Sequence, residues 1–117
     1  MAKVWRQGDV IFLRLEGNNA VGVQAEFQRP ASHVLKEGEQ TGHKHEATGE
    51  GVAVFDAPDR TAWRVPATSR ILTNNGISSE VIPGTLFLTS DNQIKVVHPE
   101  HGTLTLHKGN YLAFSPR

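Results

Sequence analysis

The chain has 117 residues, enough for one domain (1–117) with an ordinary core and too few for two. Twelve Lys and Arg balance twelve Asp and Glu. A general affinity for nucleic acid, which draws on a basic excess against phosphate, is therefore not expected. No Cys is present, which excludes disulfides, thiolate metal ligands and a cysteine nucleophile.

The chain begins Met1-Ala-Lys-Val-Trp-Arg-Gln-Gly8, with no apolar stretch of signal-peptide type, and no later run reaches membrane-spanning length. A cytoplasmic protein with no membrane partner is the expectation. Asp9 after Gln7-Gly8 reads as the entry turn to a first strand, Asp9 to Leu15, which Glu16-Gly-Asn-Asn19 closes. Val21 to Gln28 reads as a second strand, because Val21, Val23, Ala25 and Phe27 alternate with polar neighbours. His33 to Lys36 is a short edge candidate. A polar loop from Glu37 to Gly42 delivers the chain to His43-Lys-His45-Glu46, and Val52 to Phe55 follows.

Ala57-Pro-Asp-Arg60 has Pro in its favoured turn position, and Asn74-Asn-Gly76 is a hairpin signal between Arg70–Thr73 and Ile77–Ile82. Ala62 to Val65 is another weak strand. Thr85 to Thr89, Ile94 to His98, Thr103 to His107 and Tyr111 to Phe114 complete the series. Around Pro99-Glu100, pairing Val96 with Leu104 and Ile94 with Leu106 puts the apolar side chains on one face. No window holds a helical stripe free of Gly and Pro, so at most one helical turn is expected. Eleven Gly and six Pro punctuating β-branched runs point to an all-β domain, a small barrel or a two-sheet sandwich.

Four of the six His form two tight pairs, His43/His45 and His98/His101. Residues two apart on a strand share a face, so His43 and His45 project together and Lys44 points away. Ile94, Val96 and His98 share a face, which turns His98 toward the core. His101 sits just past the Pro99-Glu100 turn. Each pair alone reads more readily as polar surface or a turn than as a site. Together, in so short a chain, His43, His45, His98 and His101 are the candidate ligands of a divalent ion such as zinc, nickel, iron or copper. Glu46 and Glu100 are candidates for an oxygen ligand, an imidazole partner or a proton-transfer group. His107, out of phase with Leu104 and Leu106, is read as solvent-facing, and His33 as surface. Trp5 and Trp63 are read as core or oligomer contacts.

Gln7-Gly-Asp-Val10, Glu39-x-Thr-Gly-His-x-His45, His98-Pro-Glu-His-Gly102 and Gly109-x-Tyr111 resemble, in order and spacing, a family of small uncharacterised bacterial and phage β proteins. That resemblance implies that both His pairs belong to one recurring pattern and brings no activity with it. A weaker resemblance is to cupins, in Gly38, His43, His45 and Glu46 or Glu50. It implies His43, His45 and one later His as ligands. The second cupin motif is not matched, since Pro83-Gly84 is contiguous and no His follows closely. Two functions follow. One is a His-rich metal-binding β domain, an enzyme if a coordination position is open. The other is a phage-associated or oligomer-forming assembly module with no catalytic role. Homo-oligomer formation stays open under both, and no small-molecule ligand can be named.

Overall fold

The computed structural model describes residues 4–38, 42–56 and 84–115. The expected strands at 62–65, 70–73 and 77–82, the turns at 57–60 and 74–76, and Trp63 lie outside the described residues. The described chain forms two antiparallel sheets that do not close into a barrel, which selects the sandwich. No described helix is long and apolar enough to cross a membrane.

The first element is a hairpin. β1 (Val4–Gln7) pairs with β2 (Val10–Leu15), with Gln7 opposite Val10. Gly8 and Asp9 form the connecting loop, with φ +60° at Gly8 and no positive φ at Asp9. That is the pattern of a type II′ turn, which needs Gly at its first central position. Asp9, expected as a strand entry, therefore sits at a hairpin tip.

The segment from 21 to 28 corrects the sequence reading. It holds a helix, α1 (Asn18–Glu26), rather than a strand. Ala20, Val23 and Phe27 are buried, whereas Val21 is 68% exposed. The same residues carry both a period of two and the i, i+3, i+7 spacing of one helical face, so the local pattern does not decide. Packing does: Ala20, Val23 and Phe27 close over Ile11, Leu13, Leu15, Phe87, Leu112 and Phe114.

The remaining elements are β3 (Arg29–Pro30), β4 (Val34–Glu37), β5 (Lys44–Thr48), β6 (Ala53–Asp56), β7 (Leu86–Ser90), β8 (Ile94–Val97), β9 (Leu104–Leu106) and β10 (Gly109–Phe114). The larger sheet runs β1-β2-β10-β7-β6-β3, and the smaller β4-β5-β8-β9. The segment 33–36 is an edge as expected. The β8–β9 hairpin adopts the preferred register, Ile94 opposite Leu106 and Val96 opposite Leu104.

β2 is apolar on both sides because it is covered on both. Ile11, Leu13 and Leu15 face the helix. Val10 and Phe12 join Leu88, Tyr111 and Ala113 against Ala47, Ile94, Val96 and Leu106 of the smaller sheet. Trp5 is a core contact, edge-on to Tyr111 with ring centroids 5.8 Å apart. The result is three layers, with the larger sheet in the middle.

Helix and strand make opposite demands on residues 21 and 27. Phe27→Ala should cost about 3–5 kcal/mol, and Val21→Ser should stay within about 0.5 kcal/mol of wild type, both measured by urea denaturation. Similar losses at the two positions would contradict the helical assignment.

Candidate functional site

The two sheets meet at one end of the sandwich, and the parts of the site come from both. The β1–β2 hairpin brings Gln7, Gly8 and Asp9. β4 brings Lys36, the entry to β5 brings His43 and His45, and the turn after β8 brings His98, Glu100 and His101. The register Glu46–Val97 in the β5–β8 pair, carried one step further, sets His45 beside His98. Their ring centroids are 4.3 Å apart. His101 lies 4.6 Å from His98 and is stacked near-parallel to His45 at 6.2 Å. His43 meets His98 edge-on at 6.2 Å. The structure thus brings all four sequence-predicted histidines around one pocket of about 290 Å³, lined as well by Asp9, Lys36 and Glu100. His107 is exposed, as expected, and so is His33.

Gln7 is the buried polar centre of this arrangement. Its Nε2 donates to Val96 O at 2.8 Å and to Gly102 O at 2.6 Å, which uses both amide hydrogens. Its Oε1 then faces His45 Nδ1 at 2.8 Å. The reverse orientation of the amide would point its oxygen at two carbonyl oxygens. Oε1 can only accept, so His45 Nδ1 carries the hydrogen and His45 Nε2 carries the lone pair.

That lone pair points at Asp9 Oδ1, 3.4 Å away. The Lys36 ammonium, hydrogen-bonded to Asp9 Oδ2, holds the Asp9 carboxyl below the usual carboxylate range. Burial above all, then the neighbouring His98, push the His45 imidazole below its ordinary value, against the opposing pull of Asp9. At neutral pH an imidazole lone pair and a carboxylate oxygen therefore face each other with no proton between them. His43 Nδ1 is 2.9 Å from Glu100 Oε1, so donation to that carboxylate leaves its Nε2 as an acceptor.

His98 is held differently. Its Nδ1 accepts from the backbone N–H groups of Glu100 and His101, at 3.1 and 3.2 Å, within the turn that it begins. Its neutral ring accordingly bears hydrogen on Nε2. His101 packs on Gly8: a Cβ there would lie 2.7 Å from both Cδ2 and Nε2 of the ring. Among the described residues, no three His, Asp or Glu side chains are grouped so as to hold one metal ion. The converging donors are a pair, His45 Nε2 and Asp9 Oδ1.

Asp9, Lys36 and Glu37 of the pocket lining, and Gln7 behind His45, are residues that sequence reasoning did not assign to the site. Gln7 and Asp9 stand in the Gln7-Gly-Asp-Val10 motif. Reading Gly8-Asp9 as a hairpin loop would have placed them at a sheet end.

The model of a domain of unknown function, DUF8820, matches residues 6–115, and the chain belongs to that family. The match spans every residue of the pocket. No curated protein and no solved structure matches the chain.

The depressed basicity of His45 makes stability depend on pH. The folded chain takes up this proton less readily than the unfolded one. The stability is fully present above the unfolded value of about 6.5 and is lost as pH falls from there toward the lower folded value. The melting temperature, followed in chelator-treated protein from about pH 8 to about pH 5, should drop on the acid side of about 6.5. His45→Gln cannot titrate and should show a shallower drop. Equal acid-side slopes in variant and wild type would count against the assignment.

Proposed function

We propose that the pocket is a divalent-metal centre in which His45 Nε2 and Asp9 Oδ1 are the preset ligands. The observation that carries this reading is their 3.4 Å separation as two facing acceptors. An ion of zinc type lies about 2.0–2.2 Å from each nitrogen or oxygen donor, and tetrahedral coordination then sets two donors about 3.3–3.5 Å apart. A cation between them satisfies both the lone pair and the carboxylate. Gln7 fits the part of an outer partner that fixes the ring and tautomer of a ligating imidazole.

This reading changes the ligand set expected from the sequence. His98 engages Nδ1 with the turn and offers N–H rather than a lone pair, and Asp9 takes a ligand position. A third protein donor comes from His43 or His101 by rotation of a side chain that already lines the pocket. The remaining positions are left to water or a small molecule, which makes the centre an open one of the catalytic rather than the structural kind. The ligands are not those of the cupin pattern, which uses His43 and His45 with a later His.

Purified protein equilibrated with zinc and then dialysed should retain about one ion per chain by elemental analysis. Asp9→Asn and His45→Gln should each weaken binding at least about tenfold, and Gln7→Leu about 10–100-fold. His107→Ala should bind as wild type does. Saturating zinc, at about 100 times its dissociation constant, should add about 2.7 kcal/mol of stability. The reading is rejected if wild type retains no metal, or if Asp9→Asn and His45→Gln retain as much as wild type.

A further inference from the structure

One polar hydrogen of the pocket is buried without an acceptor. His98 is 7% exposed, and its Nδ1 is committed to the backbone of its own turn. The hydrogen on Nε2 lies on the ring edge away from Nδ1, and the residue lines the pocket. Among the described residues nothing accepts a hydrogen bond from it. Buried donors of this kind are rare in folded chains and signal a missing partner.

We propose that His98 Nε2–H donates to an anionic oxygen of a small oxyanion, of phosphate or carboxylate type, that also occupies an open position on the metal ion. The inference rests on the metal reading given above. The partner must be an acceptor, because Nε2–H can only donate. Phosphate and carboxylate are the simplest groups that offer such an oxygen and also ligate a divalent ion. Binding must also require the metal. Lys36 is set against Asp9, Glu37 and Glu100 around the pocket, which leaves the lining two negative charges in excess. An anion is repelled by the empty pocket, and a divalent ion cancels the excess. The Asp9 and Glu100 carboxylates are themselves engaged, by Lys36 and by His43.

The test uses cobalt(II) as the metal, read through its visible absorption, with inorganic phosphate and acetate as the anions. Cobalt-loaded wild type should show a saturable spectral change with at least one of them, and calorimetry should detect no anion binding to metal-free protein. His98→Asn keeps an acceptor where Nδ1 stands and lacks the hydrogen that reaches the pocket. It should take up cobalt as wild type does and bind the anion at least about tenfold more weakly. His98→Gln places an N–H near the Nε2 position and should recover part of that loss. A cobalt spectrum that ignores both anions overturns the inference. So does an Asn variant that binds the anion as tightly as wild type, or equal binding to metal-free protein. Failure of the metal reading is told apart by the absence of a cobalt spectrum before any anion is added.

Discussion

The site depends on the orientation of one buried amide. Gln7 spends both hydrogens on carbonyls of Val96 and Gly102, which belong to β8 and to the turn after it. Those two bonds tie the first hairpin of the larger sheet to the smaller sheet. They also leave the amide oxygen with a single direction to face, and His45 stands in it. A structural cross-link between layers and the choice of an imidazole tautomer are thus the same interaction. Removing it would free a buried carbonyl at Val96 and a partly buried one at Gly102, and release His45 to protonate on either nitrogen.

Around that amide, the two buried histidines have opposite polarity. His45 has its donor tied down and turns an acceptor outward. His98 has its acceptor tied down and turns a donor outward. Two rings 4.3 Å apart therefore present complementary groups to one small space. The difference comes from their partners, a side-chain oxygen in one case and two backbone N–H groups in the other. A cluster of imidazoles is not chemically uniform when each ring is held by a different kind of group.

The parts of this arrangement that sequence could disclose are those set by local spacing. The i, i+2 relation of His43 and His45 and the apolar phase of Ile94, Val96 and His98 set the face on which these rings lie, and the adjacency of β5 and β8, which the spacing does not contain, brings them together. The β8–β9 register follows from matching apolar residues. The all-β class is also legible, since short β-branched runs between turns leave a barrel or a two-sheet sandwich, whereas the helical layer over the larger sheet is not. The partnership of Gln7 with Val96 and Gly102 is not legible, because it joins residues 89 and 95 positions apart. Asp9 escapes for the same reason: its neighbours Lys36 and His45 are brought to it only by the packing of the sheets. The helix from Asn18 to Glu26 was hidden by a segment whose apolar residues satisfy two periods at once, and only the surface it covers resolves the choice.

The contact between Gly8 and the ring of His101 has a consequence for descent. A Cβ at position 8 and an imidazole at position 101 claim the same volume, and the positive φ at Gly8 already disfavours a side chain there. The constraint runs one way: a side chain at position 8 must overcome the left-handed backbone and push the exposed His101 ring aside, whereas a smaller residue at position 101 leaves Gly8 untouched. Across the lineage position 8 should therefore hold its Gly whatever residue stands at position 101, while position 101 is free of any demand from position 8.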